Sequence, residues 1–236
     1  MVSEFVVYFE LGFRHIADIR AHDHILFVVA LAAGYALTHW KELLILVTAF
    51  TVGHSITLAL ATLRVVSISG ALVEVLIPFT IIITGLFDAV EVRLRRGDDA
   101  GARDAGGRVD GGVKTPTGAL SEGGPDVRRV GLPDPGKQAR RMKYGLALFF
   151  GLIHGLGFST FLRAVLGEEQ SIALPLFSFN VGLEFGQILI LSAILVLTWA
   201  MVRGLRVKEA TWTLVLSGTV TVAALAMLVG RLTEAG

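Results

Sequence analysis

The chain has 236 residues, 53% hydrophobic and 17% charged, with a mean hydropathy of +0.69. That balance excludes an ordinary soluble domain and reads as a polytopic membrane protein. Its net charge of +1 is uninformative because the charge is unevenly placed, and the absence of cysteine excludes disulfides and thiolate metal ligands. Any metal site must then use His, Asp, Glu, Asn, Met or backbone oxygen.

The first element, residues 1–21, is too polar for an ordinary span. Phe5, Tyr8, Phe9, Phe13 and Ile16 give it an apolar side, which suits an amphipathic helix lying on the membrane or packed against the bundle. It lacks the apolar core and small-residue cleavage site of a signal peptide. Six apolar runs follow: His22–Leu37, Leu43–Leu63, Leu72–Val92, Tyr144–Leu166, Ile172–Val202 and Thr211–Val229. In a bilayer such runs must be helical, because lipid offers no partner to free backbone groups. The fold class expected is therefore all-α, a membrane bundle of about six transmembrane helices plus the N-terminal one. The first run is short, and Pro175 near the start of the fifth suggests a break or an interfacial lead-in.

Runs one to three (22–92) and four to six (144–236) form two membrane halves, joined by the 93–143 segment. Within it, Gly97–Gln138 is dense in Gly, Asp, Arg and Pro and cannot bury a core. Seven acids interleave with its basic residues, which argues for a solvated tether and against a nucleic-acid site. Three spans per half reverse the polarity of the second half, the arithmetic of a 3+3 inverted repeat. Phe50-Thr51-Val52-Gly53-His54 echoes Phe179-Asn180-Val181-Gly182-Leu183 in the corresponding run. Of 21 Lys and Arg, 12 lie in 93–143. The positive-inside rule then puts that segment in the cytoplasm and the N-terminus and the Glu168–Glu169 turn outside.

The ionisable residues inside these runs carry the functional signal. His54, His154 and Glu184 each sit near the middle of a run, where a charge costs a few kcal/mol or more and marks a pairing or a substrate path. One such residue is as readily an interhelical hydrogen bond; three in three runs favour function. His and Glu are also metal ligands. A second cluster, His15, Asp18, His22, Asp23 and His24, precedes and opens run one. A continuous helix stacks His15, Asp18 and His22 on one face and turns His24 away. A bend near 21–23 would bring Asp23 and His24 toward the bundle while His15 approaches from the N-terminal helix. Asp23 then has two open roles, as a ligand or as the acceptor that fixes a histidine tautomer. In run five, Asn180, Glu184 and Gln187 form one polar stripe. Ser55 and Glu74 complete the set of polar candidates. P-loop, G-x-G-x-x-G, H-E-x-x-H and nucleophile-elbow motifs are absent, so ATP-driven transport by this chain is not expected.

Gly12-Phe13-Arg14-His15-Ile16, Asp23-His24-Ile25-Leu26-Phe27, Phe50-Thr51-Val52-Gly53-His54-Ser55-Ile56-Thr57-Leu58, His154-Gly155-Leu156-Gly157-Phe158 and Phe179-Asn180-Val181-Gly182-Leu183-Glu184-Phe185-Gly186-Gln187 together resemble the HupE/UreJ family of bacterial membrane proteins. The resemblance spans nearly all six runs. It implies a permease of the bacterial inner membrane that brings nickel, and sometimes cobalt, to hydrogenase or urease maturation. The wider nickel/cobalt transporters carry H-x4-D-H on an early helix, whereas here the spacing is His15-x7-Asp23-His24. The expected metal residues are His15, His22, Asp23 and His24 for capture and His54, His154 and Glu184 near the midplane. Asp18, Ser55, Asn180, Gln187 and Glu74 would form a second shell or polar path. The substrate expected is Ni²⁺ or Co²⁺, with Zn²⁺ next. Metal binding by neutral imidazoles should weaken below about pH 6.5.

Two other readings use the same residues. One is an intramembrane zinc-dependent hydrolase with three His ligands and a carboxylate base. The other is a metal sensor or the membrane partner of a metallochaperone that docks on the cytoplasmic tether.

Overall fold

The computed structural model describes residues 3–19, 22–35, 39–106, 135–166 and 171–235, with the backbone alone at 95–106, 135–140 and 235. Seven helices account for most of these residues: α1 Glu4–Ala17, α2 Asp23–Ala33, α3 Trp40–Thr62, α4 Gly70–Gly106, α5 Pro135–Leu166, α6 Ala173–Trp199 and α7 Glu209–Ala235. No strand occurs among the described residues. The π-helical turn Ala200–Gly204 prolongs α6. The all-α bundle expected from composition is the observed fold. The tether continues α4 as far as Gly106 and resumes as α5 from Pro135; its centre, and the Glu168–Glu169 turn, lie outside the described residues.

Among the described residues, five helices are long and apolar enough to cross a membrane: Trp40–Thr62, Gly70–Leu94, Arg141–Leu166, Ala173–Gly204 and Glu209–Glu234. The first expected span is different. It contains α2, an apolar helix of 11 residues capped by Gly34, about 16 Å long against a hydrocarbon core of about 30 Å. Ahead of it α1 is 14 residues long, with the Ser3 hydroxyl accepting from Val6 N at its start. The expected N-terminal helix is therefore present as α1, and a short helix, α2, stands where the first span was expected. Pro175 produces no break: it is buried in the first turn of α6, where its missing N–H has no helical partner to lose.

Close helix approach is set by glycine. A Cβ on Gly53 would meet the Leu148 carbonyl oxygen, one on Gly151 that of Phe50, and one on Gly155 that of His54, so α3 and α5 pack backbone to backbone. Gly12 faces the Phe179 carbonyl and Gly182 that of Phe9, which pins α1 along α6. The N-terminal helix thus takes the second of its two expected placements, against the bundle. Phe27, Leu43, Leu46, Phe50 and Ile81 are fully buried between α2, α3 and α4. Ile45, Phe79, Leu189, Val196 and Val222 are exposed, as an outer surface facing lipid requires.

Candidate metal centre

The break between α1 and α2 decides the site. It ends α1 two residues past His15 and starts α2 at Asp23, and the two histidines beside it, His15 and His24, come together. His15 and His24 meet with ring centroids 4.6 Å apart. His54 of α3 stands 6.0 Å from His15 and 6.1 Å from His24, and His154 of α5 stands 5.2 Å from His24. The capture cluster and the midplane histidines, separate in the sequence reading, form one group of four imidazoles. His54, His154 and His24 are buried.

Hydrogen bonding fixes two of these rings. Asp23 Oδ1 accepts from the backbone N–H of His24 at 2.9 Å and stands 3.1 Å from His24 Nδ1. An ionised carboxylate can only accept, so Nδ1 of His24 carries the proton and Nε2 keeps its lone pair. Thr80 of α4 donates its hydroxyl hydrogen to the Ile77 carbonyl at 2.7 Å, so toward His154 Nε2, 3.1 Å away, it accepts. That assignment leaves the lone pair of His154 on Nδ1. His24 Nε2 and His154 Nδ1, the nitrogens freed in this way, are both buried and without a partner, as are His15 Nε2 and both ring nitrogens of His54. Buried polar atoms are ordinarily satisfied, so five unpartnered ring nitrogens in one group single it out as the candidate site.

Imidazoles sharing one ion at about 2.1 Å stand with centroids roughly 5 Å apart, close to the spacings seen here. Three of the four ring pairs meet edge to face, however, and among the described residues no three His, Asp or Glu side chains are placed to hold a metal ion. The walls are aromatic. Phe158 lies 3.9 Å from His15, Phe27 5.0 Å and Phe50 5.1 Å from His154, and Phe179 stacks on His54 at 6.4 Å. An apolar wall keeps water from the nitrogens and strengthens any electrostatic contact made there.

Other expected residues stand elsewhere. His22 is exposed at the N-cap of α2, and Asp18 is exposed at the end of α1. Glu74 pairs with Arg231 at 3.5 Å. Glu184 turns to threonines, accepting from Thr48 at 2.7 Å and from Thr51 at 2.6 Å. Gln187 is fully buried and its Oε1 is 2.7 Å from the Thr51 hydroxyl. Ser55 donates to the Thr51 carbonyl, and Asn180 Oδ1 is buried without a partner. This second polar group is centred on Thr51, three residues before His54 on α3, hence about one helical turn from the imidazoles.

A third polar group lies on α4 and α5 near the 93–143 segment. Lys143 pairs with Glu91 at 2.7 Å and with Asp88 at 3.4 Å, and its ammonium stands 4.8 Å from the Tyr35 ring centroid. Removing one member of a buried ion pair leaves the other uncompensated. Lys143→Met is therefore expected to lower stability by about 3 kcal/mol, read by thermal unfolding in detergent, and Lys143→Met with Asp88→Asn should recover part of it.

Sequence reasoning did not find Thr80, Thr48 or Thr51. Each is a polar residue inside an apolar run, a usable signal, but which histidine or carboxylate it serves depends on how neighbouring helices rotate.

Five membrane-length helices around buried, unpartnered imidazoles define a multi-pass membrane protein. The chain belongs to the HupE/UreJ family: the family model described as HupE / UreJ protein matches residues 1–100 and 130–231. The resemblance read from the motifs is thus borne out over most of the chain, and the family relates the protein to metal transport. No curated protein and no solved structure matches it.

Proposed function

We propose that this protein is a permease of the bacterial inner membrane for a divalent transition metal, nickel first and cobalt next. The observation that carries the reading is the group of four imidazoles, His15, His24, His54 and His154, with five buried ring nitrogens lacking partners. Nitrogen ligands suit nickel, cobalt and zinc over magnesium or calcium. Asp23 and Thr80 support it as the groups that orient His24 and His154. Glu184 of α6 brings a carboxylate to Thr51, about one turn of α3 from His54, and the exposed His22 and Asp18 would be first contacts for a hydrated ion. A hydrolase would need a carboxylate free to act as base. Asp23 is engaged by His24 and Glu184 by two threonines, which favours a binding and transfer role.

The test is uptake of Ni²⁺, Co²⁺ and Zn²⁺ by liposomes holding the purified chain. Saturable uptake is expected, reduced to the protein-free background in His154→Ala. Undiminished uptake in that variant would sink the site assignment. Stoichiometric metal with no flux would sink the permease.

A further inference from the structure

The Lys143 group belongs to no part of the histidine centre, yet it is built like a cation site. Asp88 is 4% exposed and its Oδ2 has no partner; the hydroxyl of Tyr35 is also buried and unpartnered. Two carboxylates and one ammonium leave an excess negative charge in a place where charge is costly. Asp88, Lys143 and Tyr35 of this group line a cavity together with Leu31, Leu46, Phe87 and Phe150. Phe150 packs on Phe27 at 6.1 Å and Phe27 on His154 at 5.0 Å. Two aromatic rings in edge contact, Phe150 and Phe27, therefore stand between this cavity and the imidazoles.

We propose that Asp88 and Glu91 form a second divalent-cation station, and that Lys143 is its resident counter-ion, displaced when a divalent ion arrives. The charges favour the exchange: a divalent ion with two carboxylates is neutral, whereas the ammonium leaves one negative charge over. Lys143 can leave, because its ammonium is a point charge on a flexible stem and its neighbours Arg141 and Met142 are exposed. The unpartnered Asp88 Oδ2 and Tyr35 hydroxyl supply further oxygen toward the ion. Oxygen ligands hold nickel or cobalt less tightly than imidazoles do. Placed beyond the aromatic rings, the station would take the ion from the histidines and give it up at the tether end. That direction rests on the permease reading; the binding itself does not.

The probe is Mn²⁺, which favours carboxylate oxygen, added to the purified full-length chain carrying His54→Leu to silence the imidazoles. Bound and free ion are separated by electron paramagnetic resonance. One weak Mn²⁺ per chain is expected, tightened at least tenfold by Lys143→Met and lost in both Asp88→Asn and Glu91→Gln. If Lys143→Met does not fold, the two carboxylate variants decide, since each keeps a partner for the lysine. Equal binding in those variants, no binding in the parent, or a folded Lys143→Met that binds no tighter than the parent overturns the proposal. Mn²⁺ binding here in a chain that moves no nickel in liposomes would leave the station standing and the permease fallen.

Discussion

His54→Leu is expected to abolish metal uptake while leaving the apoprotein at least as stable as the wild type. His54 is fully buried, and neither ring nitrogen has a hydrogen-bond partner. An unsatisfied buried polar group costs about 1–3 kcal/mol, and leucine fills a similar volume without polar atoms. Phe50 and Phe179, which pack on the ring at 6.0 and 6.4 Å, offer leucine an apolar seat. Unfolding in detergent should thus move to the same or a higher temperature. The metal response should move the other way. Wild-type protein should gain about 2.7 kcal/mol at a nickel concentration one hundred times its Kd, and the variant should gain almost none. Uptake should fall at least about 100-fold, equivalent to about 2.7 kcal/mol. A variant that loses uptake because its apoprotein unfolds early would make His54 a structural residue instead.

The parts of this site legible in the sequence were those that composition alone makes improbable. A histidine inside an apolar run is rare enough to be noticed wherever the neighbouring helices lie, and so His54 and His154 stood out. His15, His24 and His22 were visible as a cluster, but its division was not. The break after Ala17 turns His24 into the bundle and leaves His22 exposed. The sequence also made the first span look nearly membrane-length. Gly34 ends α2 after 11 residues, with Asp88 packed against the position a Cβ would take. The role of Asp23, open between ligand and orienting acceptor, depended on a single contact, 3.1 Å from its Oδ1 to His24 Nδ1. Partners such as Thr80 for His154 and Glu91 for Lys143 come from other helices, or from across the tether, and no spacing along the chain predicts them.

Glycine substitutions should separate the stability of the bundle from the assembly of the site. At Gly151 a side chain would run into the Phe50 carbonyl oxygen and the His54 amide nitrogen. Both are backbone atoms inside a helix, so no rotamer change relieves the clash, and α3 and α5 would have to part along their whole contact. Gly151→Leu is accordingly expected to cost at least about 4 kcal/mol, beyond ordinary overpacking, and to leave little folded protein. Gly12→Leu meets a backbone as well, that of Phe179, but its helix packs in a separate cluster, where Tyr8 and Ile16 meet Leu58, Leu162, Phe179 and Leu183. α1 buries only Tyr8, Gly12 and Ile16 and leaves Phe5, Val6 and Val7 exposed. The core of Phe27, Leu46, Phe50 and Ile81 does not include it. That variant should keep the α2–α5 bundle folded while α1 shifts off α6, carrying His15 away from His24. Nickel affinity should drop by at least about tenfold, or 1.4 kcal/mol, with His24, His54 and His154 still in place. Circular dichroism and calorimetric nickel binding on the same samples distinguish the cases. Equal loss of helix in both variants would mean that α1 is part of the folding core, and unchanged nickel affinity in Gly12→Leu would remove His15 from the centre.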